Sequence, residues 1–168
     1  MPTSPSGHRP VIGLVAALLL VPAAAVAQEP STSSYEAATS GTRRLAGPNG
    51  LSITLLVEAS NLGGDEVELG EVTFPPGSGA GDASHTHGRV EIFYILEGTF
   101  DHIVNGEAHR LQPGGVGIVR PGDAVIHRVV GDAPVRALVI WAPGGEAERL
   151  APMFEERPLR RPPDPDGG

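Results

Sequence analysis

The chain has 168 residues, enough for one ordinary domain, and its 20 acidic and 12 basic residues give a formal net charge of −8. An acidic surface repels phosphate groups and no basic stripe compensates, so nucleic acid is not an expected partner. All the basic residues are arginine and cysteine is absent. This composition excludes lysine Schiff bases, disulfides, thiol nucleophiles and thiolate metal sites.

The first 27 residues predict a signal peptide. His8 and Arg9 precede an apolar run over residues 11–21, and Ala25-Val26-Ala27 has the small side chains of a cleavage site. The run is short for a membrane span, which needs about 20 residues. We therefore expect cleavage after Ala27 and a secreted or periplasmic mature chain without a stable membrane span. An uncleaved membrane anchor is the alternative.

Short apolar runs separated by glycine and proline follow in the middle of the chain, a pattern typical of an all-β domain. The predicted strands cover residues 52–58, 66–74, 90–96, 99–104, 107–111, 116–119, 124–130 and 135–141. Asn105-Gly106 predicts a two-residue hairpin turn, because both residues tolerate positive φ. Composition alone leaves a sandwich and a small barrel open.

The segments on either side differ from this pattern. Residues 28–50 are polar and predict an N-terminal arm or linker. After the last predicted strand, residues 146–168 predict a short helix or loop over 146–154, followed by a proline-rich tail.

Three histidines and a glutamate form the candidate metal site. His85 and His87 are two residues apart, so on an extended strand both rings project from the same face. Glu91 is expected on the adjacent strand, because Gly88 favours a turn, and His127 lies in the predicted strand 124–130. Imidazole nitrogens with one carboxylate oxygen suit manganese, iron, nickel, copper or zinc and leave positions open for a ligand. A hydrogen-bonded core histidine is the alternative for His127 alone.

The spacing of these residues resembles the two motifs of the cupin superfamily. The match to the first motif consists of Gly79, His85, His87, Glu91 and Gly98, and the match to the second consists of Gly115, Pro121 and His127. In the second motif five residues separate proline from histidine where the family has four, and Gly131 replaces a terminal asparagine. The resemblance covers roughly residues 51–145.

The resemblance implies a single-domain jelly-roll β-barrel that holds one divalent transition metal on His85, His87, Glu91 and His127. Iron or manganese is the first expectation, with nickel, copper or zinc as alternatives. The motif region is similar to small quercetin-dioxygenase-like cupins and to germin-type oxalate oxidases. These families imply an oxygen-activating or related metalloenzyme that acts on a small organic molecule. A non-catalytic module that binds a small ligand or a metal is the second hypothesis, a cupin that lost its metal is a third, and a homodimer is allowed for.

Several other residues leave two interpretations open. His102 alternates with Phe100 and Val104, which would point it into the barrel as a supporting group or general base beside the metal. A strand-edge or solvent-facing histidine is the favoured interpretation. His109 is expected to be exposed. Arg89 and Arg120 are candidates to bind a substrate carboxylate or are solvated surface arginines. The aromatic residues are expected to pack inside the barrel; they are Phe93, Tyr94, Phe100 and Trp141.

Overall fold

A computed structural model of the protein describes residues 41–159, and the predicted signal peptide lies outside them. Two short helices are present, α1 (Ala59–Leu62) and α2 (Glu146–Leu150), with 3-10 turns at Pro48–Gly50 and Ala151–Met153. The strands in chain order are β1 (Arg43–Ala46), β2 (Ser52–Val57), β3 (Glu68–Phe74), β4 (His85–Thr86), β5 (Val90–Glu97), β6 (Phe100–Val104), β7 (Glu107–Leu111), β8 (Val116–Val119), β9 (Ala124–Val129), β10 (Val135–Ala142) and β11 (Glu155–Arg157).

The strands form two antiparallel sheets, as the all-β prediction requires. One has seven strands in the order β11-β1-β2-β3-β10-β5-β8, and the other has four in the order β4-β9-β6-β7. Strand neighbours that are distant in sequence, such as β3 beside β10, are typical of a jelly roll. The predicted all-β jelly-roll fold is confirmed.

Alternating burial explains why these segments are strands. Along β3 and β10 every second residue is buried, so one face of each strand packs inward. The core joins both sheets and includes Phe93, Phe100, Ile95 and Val139, all nearly or fully buried. Truncation of a buried Phe100 to alanine typically costs about 3–5 kcal/mol of stability.

The predicted hairpin turn and short helix are both found. Asn105 and Gly106 have φ of 51° and 87°, the left-handed conformation that a tight two-residue turn between twisted strands requires. Helix α2 and the 3-10 turn after it occupy most of residues 146–154, where a short helix was expected.

The structure differs from the sequence analysis at the two ends of the described chain. Strands β1 and β11 lie in segments expected to be an arm and a tail, and they pair with each other at the edge of the larger sheet. Only Leu45 of these two strands is buried. These two strands are held by backbone hydrogen bonds. Such bonds do not require alternating apolar side chains, so the sequence carries no strand pattern there.

One aromatic residue also differs from expectation. Tyr94 is exposed on the outer face of the larger sheet, where it pairs across strands with the exposed Val116. Neighbouring residues of a strand face opposite sides, so Tyr94 cannot share the interior position of Phe93. Ile118 is exposed on the same outer face.

Among residues 41–159 no helix is both long and apolar enough to span a membrane.

Candidate metal centre

The three predicted histidine ligands meet at one end of the space between the sheets. His85 lies on β4, which pairs with β9, the strand that carries His127. His87 follows β4 directly. One ring nitrogen from each of the three lies within 4.8 Å of the others. Gly79 lets the loop before β4 pack against the backbone of β9, because a Cβ there would lie 2.4 Å from the carbonyl oxygen of His127.

Glu91 completes the cluster from the opposite sheet. It stands near the start of β5, after the turn at Gly88, as the sequence predicted. Its Oε2 is 3.3 Å from Nε2 of His87 and 3.2 Å from Nε2 of His127. All four predicted site residues are therefore brought together, and the extra residue in the second motif does not displace His127.

The ligand-type atoms of this cluster fit a cation. Oε2 of Glu91 and the Nε2 atoms of His87 and His127 are buried and have no hydrogen-bond partner among the described residues. Leaving such a buried polar group unsatisfied costs about 1–3 kcal/mol, and more for a charged one. Three nitrogens and one anionic oxygen facing one point are the donor set of a transition metal, and a bound ion would satisfy the three unpartnered atoms together.

A second layer of side chains orients two of these residues. Nδ1 of His87 lies 3.0 Å from Oε1 of the fully buried Glu146, and Nε1 of Trp141 donates to Oε1 of Glu91 at 2.9 Å. A carboxylate at Nδ1 favours the tautomer with its proton there, which leaves Nε2 free to coordinate.

A comparison with protein families identifies the fold. The family model described as "Cupin domain" matches residues 70–141, the stretch from β3 to β10 that contains all four clustered residues. Residues 70–141 form a cupin domain. A search of the curated proteins found no match.

Solved cupin structures share the fold. A predicted oxalate decarboxylase from Thermotoga maritima is 20% identical, with a TM-score of 0.54 over 66% of this chain and 99% of that one. KdgF from Halomonas sp. is 16% identical, with a TM-score of 0.50 over 60% of this chain and 86% of that one. The EutQ protein of Clostridium difficile is 17% identical, with a TM-score of 0.50 over 60% and 67%.

Helix α2 of this cupin is fixed beside the cluster by two buried carboxylates. Glu68 on β3 accepts hydrogen bonds from the backbone N–H groups of Gly145, Glu146 and Ala147 at the start of the helix. Glu146 also faces Arg89 at 3.1 Å and accepts from Nε of Arg149 at 2.7 Å. The helix is therefore tied both to the barrel wall and to His87.

The electrostatics keep His85 and Glu91 in the protonation states that bind a metal. Burial, and then the positive charge of His127 and His87, lower the pKa of His85 to about 4, with a smaller contribution from Arg149. Burial alone raises the pKa of Glu91, but the adjacent His127 and His87 lower it below its ordinary value. At neutral pH His85 is uncharged and Glu91 is anionic, which are the states that bind a metal.

A cavity of about 300 Å³ opens from the cluster. The four cluster residues form part of its lining, and Arg149, which is linked to His87 through Glu146, contributes the other charged side chain besides Glu91. The remaining lining residues are apolar or aromatic: Leu51, Ile53, Val72, Phe74, Phe93, Val139, Trp141, Leu150, Met153 and Phe154. The segment from Arg149 to Phe154 contributes one side of the cavity.

His102 lies inside the barrel, on the face that its alternation with Phe100 indicated, so the favoured interpretation of a solvent-facing histidine is wrong. Its side chain is 2% exposed, and its ring centroid is 5.1 Å from that of its cross-strand neighbour His127. Gly117 packs on the ring: a Cβ there would be 2.4 Å from Nδ1. Burial, and then the charge of His127, lower the pKa of His102 to about 3, so it is neutral near pH 7. A role in supporting His127 or in proton transfer remains a prediction.

The other candidate residues are outside the cluster. Arg89 pairs with Glu146, Arg120 is exposed, and the predicted exposure of His109 is confirmed. Sequence analysis missed Glu146 as a partner of His87, because 59 residues separate them and no motif connects them. It treated Trp141 only as packing; the one signal was that a buried indole N–H needs an acceptor.

Proposed function

We propose that this cupin is a metal-dependent enzyme acting on a small organic molecule, with the metal held by His85, His87, Glu91 and His127. The convergence of three buried, unpartnered ligand atoms from two sheets carries the proposal. If the cluster had only a structural role, these buried atoms would stay without hydrogen-bond partners. Apolar side chains at the same positions would avoid that loss of stability.

The surrounding residues hold the ligand set in a defined state. Glu91 supplies the anionic ligand, and the hydrogen bond from Trp141 fixes the carboxylate plane. Glu146 keeps the proton of His87 on Nδ1. A bound divalent metal with open positions would polarise a coordinated oxygen or activate dioxygen, and iron or manganese suits oxygen activation.

The test is metal content followed by turnover. We expect about one divalent metal per chain, and oxygen uptake or product formation with a small organic substrate. Glu91→Gln keeps one coordinating oxygen but removes the charge, so turnover should fall by an order of magnitude or more even at restored metal occupancy. Glu97→Gln, on the same strand but exposed, is the control. A protein that binds no divalent metal would refute the proposal.

One observation favours the second hypothesis, a non-catalytic binding module. Among the described residues that line the cavity, the one ionisable side chain outside the cluster is Arg149, and arginine does not serve as a proton donor or acceptor in proteins. A module of this kind would hold metal and ligand tightly, release the ligand unchanged, and keep its ligand affinity in Glu91→Gln within a modest factor.

Export is proposed on sequence grounds. The apolar run at residues 11–21 and the Ala25-Val26-Ala27 site support a mature chain that begins at Gln28. The intact mass of the exported fraction tests this, and a membrane-bound species that retains residues 1–27 would favour an anchor.

We also propose that two copies associate weakly through the outer face of the larger sheet. Tyr94, Val116 and Ile118 are exposed there side by side and carry no charge, although the chain is strongly acidic. Stable interfaces bury about 800 Å² per partner, more than three side chains provide. The dimer should therefore depend on concentration.

A further inference from the structure

The lining of the cavity beside the cluster restricts the ligand. Apart from the four cluster residues and Arg149, every lining side chain is apolar or aromatic, and the indole N–H of Trp141 is already bonded to Glu91. A ligand with many hydroxyl or carboxyl groups would lose its hydrogen bonds to water against this wall. Each polar group left unpaired against this wall would weaken binding of the ligand. The body of the ligand must therefore be apolar.

The volume sets the size of that body. An apolar cavity of about 150 Å³ holds a benzene molecule. The cavity of this cupin, at about 300 Å³, therefore accepts a molecule with one ring and a short substituent.

The charges around the cavity favour an anion. The buried carboxylates near the cluster are Glu68, Glu91 and Glu146, and the two arginines beside them are Arg89 and Arg149. A bound dication gives this region an excess of positive charge. Arg149 is the arginine that lines the cavity, and its side chain is 45% exposed, which leaves part of the guanidinium for a second partner besides Glu146.

We infer that the cavity binds a small, mostly apolar molecule with a single anionic group, and that this group is held at the cluster end beside Arg149 while the apolar body contacts Val72, Leu150 and Phe154. The inference deepens the proposed function and rests on it, since a bound metal supplies part of the positive charge. It disfavours oxalate-like diacids, which have two charges and no apolar body, as ligands of this cavity.

The probes are benzoate, its neutral analogue benzamide, and oxalate, added to metal-loaded and metal-free protein and followed by calorimetry. We expect benzoate to bind at least ten times more tightly than either of the others to the metal-loaded protein. Arg149→Gln should weaken benzoate binding by about tenfold, the lower end of the range for a charged hydrogen bond, because the guanidinium is partly exposed. Benzamide binding should stay unchanged.

Two matched controls separate the site from general damage. Arg89→Gln also removes an arginine from Glu146, but Arg89 does not line the cavity, so the ratio of benzoate to benzamide affinity should stay unchanged. Val72→Thr places a hydroxyl in the apolar wall and should weaken benzoate binding. Val119→Thr alters a buried valine outside the lining and should not.

Oxalate that binds as tightly as benzoate, no benzoate binding, or equal effects of Arg149→Gln and Arg89→Gln would each overturn the inference. Metal content, measured separately by elemental analysis, keeps the two proposals distinct. If metal binds and benzoate does not, the ligand class is wrong and the metal site stands. If no metal binds, the proposed function fails and the preference for an anion fails with it, because the three carboxylates then outnumber the two arginines.

Discussion

Glu146→Gln tests how far the metal site depends on a residue that does not itself touch the metal. The wild-type carboxylate is fully buried, and its Oε1 faces Nδ1 of His87 at 3.0 Å. The amide oxygen of glutamine can still accept a hydrogen bond from the Nδ1–H group of His87. The variant loses the negative charge that makes His87 a stronger metal ligand. Replacing such a partner typically lowers metal affinity by about 10–100-fold.

The expected size of the effect follows from linkage. With free metal at about 100 times the wild-type dissociation constant, binding stabilises the fold by about 2.7 kcal/mol. A tenfold weaker site retains about 1.4 kcal/mol, and a hundredfold weaker site about 0.4 kcal/mol. At roughly 4 °C per kcal/mol, the metal-dependent rise in melting temperature should shrink by roughly 5–9 °C.

The assay is thermal unfolding of wild type and variant with and without metal, together with competition against a chelator. The difference between the two conditions isolates binding from any loss of stability in the metal-free variant, where Arg89 and Arg149 face a neutral amide. Glu148→Gln is the control, because Glu148 lies on the same helix with its side chain 75% exposed. An unchanged metal affinity in Glu146→Gln would refute the view that Glu146 prepares His87 for coordination.

Three further predictions concern other parts of the protein. His127→Ala should abolish stoichiometric metal binding, whereas His109→Ala should not; full occupancy in the first variant would rule out the four-ligand site. The Asp101 carboxylate accepts hydrogen bonds from two cross-strand arginines, which lower its pKa from 3.8 to about 2 despite burial. The contribution of this carboxylate to stability is fully present above about pH 4 and disappears as the pH falls through about 2. Asp101→Asn should therefore be less stable than the wild type at pH 7. It should also lose less stability than the wild type between about pH 4 and pH 2 in acid denaturation. Ile118→Asp should shift the concentration-dependent dimer to monomer in light scattering, and a monomeric wild type at high concentration would disprove association.

The barrel strands were predictable because their signals are local. Alternating apolar residues and the glycine-containing turns located eight of the nine strands between β1 and β11, all but the two-residue β4, and Asn105-Gly106 located one turn correctly. Strands β1 and β11 escaped because only Leu45 among their residues is buried. Their pairing depends on backbone groups of segments more than 100 residues apart, which a local pattern does not report.

The candidate site was predictable where spacing encodes geometry. His85, His87, Glu91 and His127 occupy motif positions, and the structure brings them together. Glu146 and Arg149 were missed because they reach the site through the fold of α2 and not through a strand. The position of Tyr94 was wrong for a different reason: strict alternation with Phe93 already required it to face outward.

The hydrogen bonds between Glu68 and the start of α2 hold one wall of the cavity in place without involving a metal ligand. Leu150, Met153 and Phe154 lie between β10 and β11 in sequence, and the ligand cluster contains none of them. A designer can therefore exchange residues 150–154 to alter the selectivity of the cavity while the strands and coordinating groups stay as they are. Glu68, Glu146 and the short turn between β10 and α2 should be retained, since they fix the position from which any replacement segment starts.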